Sequence, residues 1–196
     1  MKPKQPHEPT ARRDEIIRVA AKIFAAKGYH ATTLDEIARE LGITKPALYY
    51  HVRNKEEILR EIISKIMEPM EEAIKVGGSS LPPRDKIERI VQILVKFGAE
   101  RKETTLIAFE ELKILPKRSR DAVRRRQKGL ERVLQEVLRE GAAQGVFTPA
   151  DEKMVAYSIL ASSNWVYRWY HPDGGLTPAE IAEKFSHFFE RGYLKR

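Results

Sequence analysis

Thr44, Lys45, Tyr49, Tyr50 and His51 lie within eight residues, TKPALYYH. A hydroxyl, an ammonium, two phenols and an imidazole in so short a run can donate to an anion and lay flat rings against a sugar or a base. Leu48 is the only strongly apolar residue among them, with Ile43 just before and Ala47 beside it. One inward anchor leaves the other side chains outward. Two adjacent tyrosines and a histidine on such a face suit a surface that binds something; the bland alternative is a small surface helix with snorkelling tyrosines. Thr33 and Lys55, just outside the run, offer a further hydroxyl and ammonium.

The surrounding residues predict the elements that would hold these groups. Thr33 is followed three residues later by Glu36, the spacing of a capping box. Leu34, Ile37, Ala38 and Leu41 then repeat at helical spacing, and Gly42 supplies the stop. Thr44 caps a second helix from Lys45 to about His51, with Pro46 in its first turn. Asn54 caps a third, entered by Lys55, Glu56 and Glu57. A helix, a glycine turn and a short second helix make a helix-turn-helix, whose second helix enters the DNA major groove.

The stretch resembles the DNA-binding domain of TetR-family transcriptional regulators, over about residues 10 to 60. The residues that carry the resemblance are Thr32-Thr33, the ELGITK turn at 40–45, Leu48-Tyr49-Tyr50-His51 and Asn54-Lys55-Glu56-Glu57. Val52 departs from it, since the family usually has phenylalanine there. The resemblance implies a DNA-binding domain over residues 10–55 and a homodimer on a palindromic double-stranded operator. Thr33, Tyr49 and Lys55 are expected to hold phosphates; Thr44, Lys45 and Tyr50 are expected to approach bases, with His51 at the margin.

Composition agrees with a polyanionic partner. The 196 residues carry a formal net charge of +8, and residues 1–55 hold eleven Lys/Arg against six Asp/Glu. The chain has no cysteine, which removes disulfides and thiolate catalysis and makes a reducing cytoplasm the simplest compartment. Its five histidines lack metal-ligand spacing, so no metal is expected. No apolar run is long enough to span a bilayer, and the N-terminus lacks the apolar core of a signal peptide.

Along the rest of the chain the pattern is helical, and no strand alternation is found. The expected fold is all-α with about nine helices: a three-helix N-terminal domain and a larger helical ligand-binding and dimerisation domain at 56–196. Residues 1–9 read as a basic disordered arm, continued by Arg12 and Arg13, that could touch DNA. A first helix is expected from about Thr10 to Lys27. A long one is expected from Lys55 to Val76, kinked by Pro69 and carrying motion to the recognition helix. GGSSLPP at 77–83 is a linker. A very basic helix follows at 117–144, and the last two helices are expected at about 150–171 and 177–193. Their apolar faces call for a second copy of the chain as partner.

Two features of the second half suggest an effector. Asn164-Trp165-Val166-Tyr167-Arg168-Trp169-Tyr170 sets an arginine among aromatics, where it can stack and still fork onto an anion. The plainer reading makes Trp165 and Tyr170 core or interface residues and pairs Arg168 with a carboxylate. The basic helix repeats Arg118, Arg125 and Arg132 every seven residues, and Arg120, Arg124 and Lys128 every four. There the plainer reading is a solvated face. Together they suit an amphipathic anion. Residues 164–185 are similar to the C-terminal region of TetR-family members that sense acyl-coenzyme A thioesters in fatty-acid, aromatic-acid or steroid breakdown. The resemblance implies an effector of that class and no resident cofactor. The acyl chain is expected near Phe97, Phe109, Leu112 and Trp165, the phosphates on Arg124 and Lys128, and Arg168 or Asn164 near the thioester. A sensor of cationic drugs is the rival, and would need buried acids; Glu110 or Glu111 turned into an apolar cavity would favour it. No GxSxG, HExxH, P-loop or dinucleotide-binding glycine pattern occurs, so catalysis, for instance on a thioester, is not expected.

Overall fold

Each side-chain cap expected in the N-terminal region opens a helix in the structure, a computed structural model that describes residues 9–148 and 151–193. Residues 1–8 of the expected arm and Pro149 lie outside the described residues. The chain begins with α1 (Pro9–Lys27), α2 (Leu34–Glu40), α3 (Lys45–His51) and α4 (Lys55–Ser64). Thr33 accepts from the Glu36 N–H at 3.2 Å, while the Glu36 carboxylate accepts from the Thr33 N–H at 3.0 Å. Thr44 accepts from the Ala47 N–H at 3.3 Å, and Asn54 from the Glu57 N–H at 2.8 Å. Gly42, at φ +63°, turns the chain between α2 and α3 in a region that residues with a Cβ rarely enter. Ile16, Phe24, Ile37, Leu48, Ile58 and Leu59 are buried together and fix the four helices to one another.

The larger half contains α5 (Met67–Gly77), α6 (Pro83–Glu100), α7 (Lys102–Glu111), α8 (Lys117–Ala143), α9 (Glu152–Asn164), α10 (Val166–Trp169) and α11 (Pro178–Tyr193). A 3₁₀ turn at Leu112–Ile114 leads into α8. No β-strand occurs among the described residues. The apolar stripe of α6 runs through the centre, with Ile87, Ile90, Val91 and Leu94 buried against α5, α8, α9 and α11. Lys86, itself buried, reaches Glu140 at 2.8 Å and ties the start of α6 to the end of α8.

Two helices expected to be continuous are broken. The segment from Lys55 to Val76 divides at Lys65-Ile66, where the Lys65 and Ile66 N–H groups turn to carbonyls three residues back in a tightened turn. Pro69 is the cause: its ring excludes the carbonyl four residues earlier, which is that of Lys65, and its missing N–H is harmless in the first turn of α5. The segment ending at His171 divides at Trp165, where the Arg168 N–H bonds the Trp165 carbonyl at 3.0 Å. Asn164 and Arg168, like Trp165 and Trp169, therefore do not share one regular helix. Counting each broken pair as one gives nine helices among the described residues, the number expected. The larger half also reaches the first one without the chain connection, because α7 packs on both α1 and α4.

A close approach at the end of α8 makes a stability prediction. The chain turns at Gly145 and folds Phe147 back, so that a Cβ on Gly141 would stand 2.2 Å from the buried ring. Gly141→Ala should cost about 1–3 kcal/mol through forced displacement of that ring. Gly129→Ala, whose Cβ would meet only the tip of Ile74 at 3.3 Å, should be neutral or stabilising, since a helical glycine carries an entropic cost. Urea midpoints of the two variants check this; equal stability for both would show that Phe147 yields freely.

Candidate functional site

The exposed face of α3 carries the groups expected there. Leu48 is fully buried, whereas Tyr50 is 85% exposed and Tyr49 46%. The Tyr50 and His51 rings meet edge to face at 5.2 Å. Thr44 and Lys45 are exposed at the start of the helix, with the Lys45 ammonium 3.0 Å from Asp35 of α2. Thr33 lies at the exposed start of α2, its hydroxyl engaged in the capping box. The Glu36 carboxyl is held below its usual range by the Lys27 ammonium, then by the Thr33 N–H. Val52, the departure from the family pattern, is 1% exposed and fills its place in the core.

Lys55 is placed differently from its neighbours. Its ammonium donates to the carbonyls of Tyr29 and Thr32 at 2.7 Å each and of His30 at 3.2 Å, and it lies 4.4 Å from the centre of the Tyr29 ring. An ammonium has three N–H groups, and all three are occupied. In this geometry Lys55 positions the loop between α1 and α2, with no N–H left for a phosphate. Sequence position alone could not show this, because the carbonyls come from more than twenty residues away.

Arg12 and Arg13, read from the sequence as continuing a basic arm, are also engaged internally. Arg12 pairs with Glu15 at 2.5 Å. Arg13 bonds Glu57 at 2.6 Å, grips Glu61, and donates to the His51 carbonyl at the end of α3. One guanidinium thus fastens the end of α3 to α1 and α4, and the two carboxylates keep it strongly charged.

The second site is a cavity of about 80 Å³ among α5, α6, α7, α8 and α9. Phe97, Phe109, Leu112 and Asn164, four of the residues expected at the effector, line it. Gln127 and Thr105 line it as well and were missed. Gln127 stands at the inward register between Val123 and Leu130, where one uncharged residue interrupts a run of arginines; that was the available signal. No acid or base is among the lining residues. Glu110 is half exposed, 3.9 Å from Arg168.

Trp165 and Arg168 lie outside the cavity wall but beside it. Phe109, which belongs to the wall, stacks on Tyr167 with centroids 5.6 Å apart. Arg168 lies over the Trp165 ring at 5.5 Å and the Tyr167 ring at 5.9 Å. Its pairing with Glu110 is long and exposed, which leaves the guanidinium accessible. Arg124 and Lys128 are exposed on α8 on either side of Gln127, and neither lines the cavity. Other bases of this helix are committed: Arg126 pairs with Glu71 at 2.5 Å, and Arg120 caps the Lys113 and Leu115 carbonyls.

A helix-turn-helix with an exposed aromatic face, joined to a helical body that encloses a cavity, defines a ligand-responsive class of DNA-binding regulator. Residues 16–62 match the family described as bacterial regulatory proteins, tetR family, and residues 80–193 match the tetracyclin repressor-like C-terminal domain. The chain belongs to the TetR family of transcriptional regulators. It is 28% identical to the transcriptional repressor KstR2 of Mycolicibacterium smegmatis over 94% of this chain and 92% of that one. The structure of the ketosteroid transcriptional regulator KstR2 of Mycobacterium tuberculosis superposes with a TM-score of 0.87, at 25% identity and 98% coverage of both chains. AibR, solved in complex with isovaleryl coenzyme A and operator DNA, superposes with a TM-score of 0.76 at 27% identity, over 90% of this chain and 97% of that one. No helix among the described residues is long and apolar enough to cross a membrane.

Proposed function

We propose that this protein is a cytoplasmic homodimeric repressor that binds a palindromic operator and is released by an acyl-coenzyme A thioester. The observation that carries the reading is the cavity: an apolar wall without a carboxylate, adjoining an aromatic cluster with an accessible arginine. A sensor of cationic drugs would need an acid in that wall, and Glu110 stands outside it beside Arg168. The AibR complex with isovaleryl coenzyme A lends further support. In the proposed arrangement residues 10–55 read DNA and residues 56–196 bind effector and partner. The acyl group enters between Phe97, Phe109 and Leu112. Arg168 or Asn164 stands near the thioester, while Arg124 and Lys128 meet the phosphates.

Release requires the effector to bind one arrangement of the dimer better than the other. α7 is suited to transmit that preference, since Thr105, Ala108 and Phe109 line the cavity while the same helix packs on α1 and α4. The broken α4–α5 connection then lets the first half tilt.

The test is titration of the protein–operator complex with acyl-coenzyme A of increasing length beside the matching free acids. Each buried methylene contributes about 0.8 kcal/mol, so potency should rise about fourfold per carbon and then level as the cavity fills. Release by thioesters at concentrations where free acids do nothing is the expected result. Equal potency of the free acids would remove the roles of Arg124 and Lys128, and inactivity of both series would overturn the effector assignment.

A further inference from the structure

Gln127 from α8 and Asn164 from α9 are, with Thr105, the polar residues that line a mostly apolar cavity. Neither side chain has a hydrogen-bond partner among the described residues. Thr105, the third polar group in the wall, already donates its hydroxyl to the Arg101 carbonyl at 3.0 Å. Both residues are half-buried, so their amides are reachable from the cavity mouth. Ligand cavities are mostly apolar, with a few polar groups that fix orientation, and amides uncommitted to the protein are available to donate to a ligand there. An ionised carboxylate is a poor acceptor here, because no base lines the cavity and an unpaired charge is costly to bury. A neutral carbonyl meets both conditions.

We propose that Gln127 and Asn164 donate to a neutral carbonyl oxygen on the effector, so that the cavity selects a thioester, ester or ketone over the free acid of the same chain. This rests on the effector reading above and adds the group that makes the distinction: rejection of the free acid is built into the cavity wall itself, beyond any contribution from the basic helix. The cavity of about 80 Å³ holds roughly three water-sized groups, so short chains are the appropriate probes.

The experiment is calorimetry on the DNA-free protein with butyryl-coenzyme A and with S-butyl-coenzyme A, which lacks the carbonyl, in wild type, Gln127→Leu and Asn164→Leu. Wild type should bind the thioester at least tenfold more tightly than the thioether, and each substitution should bring the ratio toward one. A ratio that neither substitution alters overturns the proposal. In parallel, methyl butyrate and butyrate are titrated while the Gln127 and Asn164 side-chain amides are followed by NMR. Methyl butyrate should move both resonances and butyrate neither; equal shifts by butyrate overturn the proposal. If methyl butyrate behaves as expected and no coenzyme A derivative binds, the carbonyl assignment stands and the acyl-coenzyme A reading falls.

Discussion

Lys55→Met is expected to destabilise the protein by about 2–3 kcal/mol and to weaken binding to operator and random DNA alike by a hundredfold or more. The methionine keeps the apolar stem but removes three donors from the Tyr29, His30 and Thr32 carbonyls and the cation over the Tyr29 ring. Hydrogen bonds from a charged donor contribute about 1.5–3 kcal/mol each, and a cation–π contact about 0.5–1 kcal/mol. The sum must be discounted, since burial pushes the Lys55 ammonium below its ordinary pKa and the carbonyls offset that desolvation only in part. The loop these bonds hold leads directly into Thr33 and α2, so its loosening misplaces the whole helix-turn-helix. Urea unfolding measures the first effect, and operator affinity across a salt series measures the second. A positioning role leaves the salt slope unchanged. A direct phosphate contact would instead lower the slope by about 0.9 while leaving stability intact, and that outcome would return Lys55 to the DNA surface.

The contrast between Lys55 and the caps around it shows what could be read from the chain alone. Thr33, Thr44 and Asn54 act on N–H groups three residues away, so their chemistry is local and visible in sequence. Lys55 and Arg13 act on groups from distant segments, and residue type and position carry no sign of that. Pro69 announced a distortion, but the break appears at Lys65-Ile66 because a proline ring acts on the carbonyl four residues before it. In the aromatic run, composition pointed to a ligand region without dividing it. Val166 and Tyr167 turn inward, while Trp165, Arg168 and Trp169 stay outside, because the helix tightens at Trp165. Gln127, the α8 residue in the cavity wall, sits between Arg126 and Lys128, so the charge pattern of the helix does not single it out.

Phe188→Glu is expected to convert the proposed dimer to a monomer and to lower affinity for a full palindromic operator by roughly 10²–10⁴. Phe188 of α11 is 72% exposed, more than any other large apolar side chain described outside α3. Met154, Tyr157 and Trp165 add an exposed apolar stripe at the same end of the chain, along α9 and just past it. α9 and α11 touch each other, so the residues belong to neighbouring elements. In a two-fold dimer the same patch serves both copies, and one substitution therefore introduces two like charges. Joining two recognition helices makes the second half-site contact intramolecular, which is the source of the expected loss. On the proposed palindromic operator the two α3 helices would meet successive major grooves about 34 Å apart, a spacing that the proposed dimer would fix. Affinity for a single half-site should stay within about threefold of wild type, because α11 packs on α6 and α9 whereas α3 packs on α2. Phe188→Leu should remain dimeric and bind normally. Sedimentation at micromolar concentration and titration of whole and half operators decide the matter; a Phe188→Glu protein that stays dimeric and binds the full operator as wild type does would place the joint on another face.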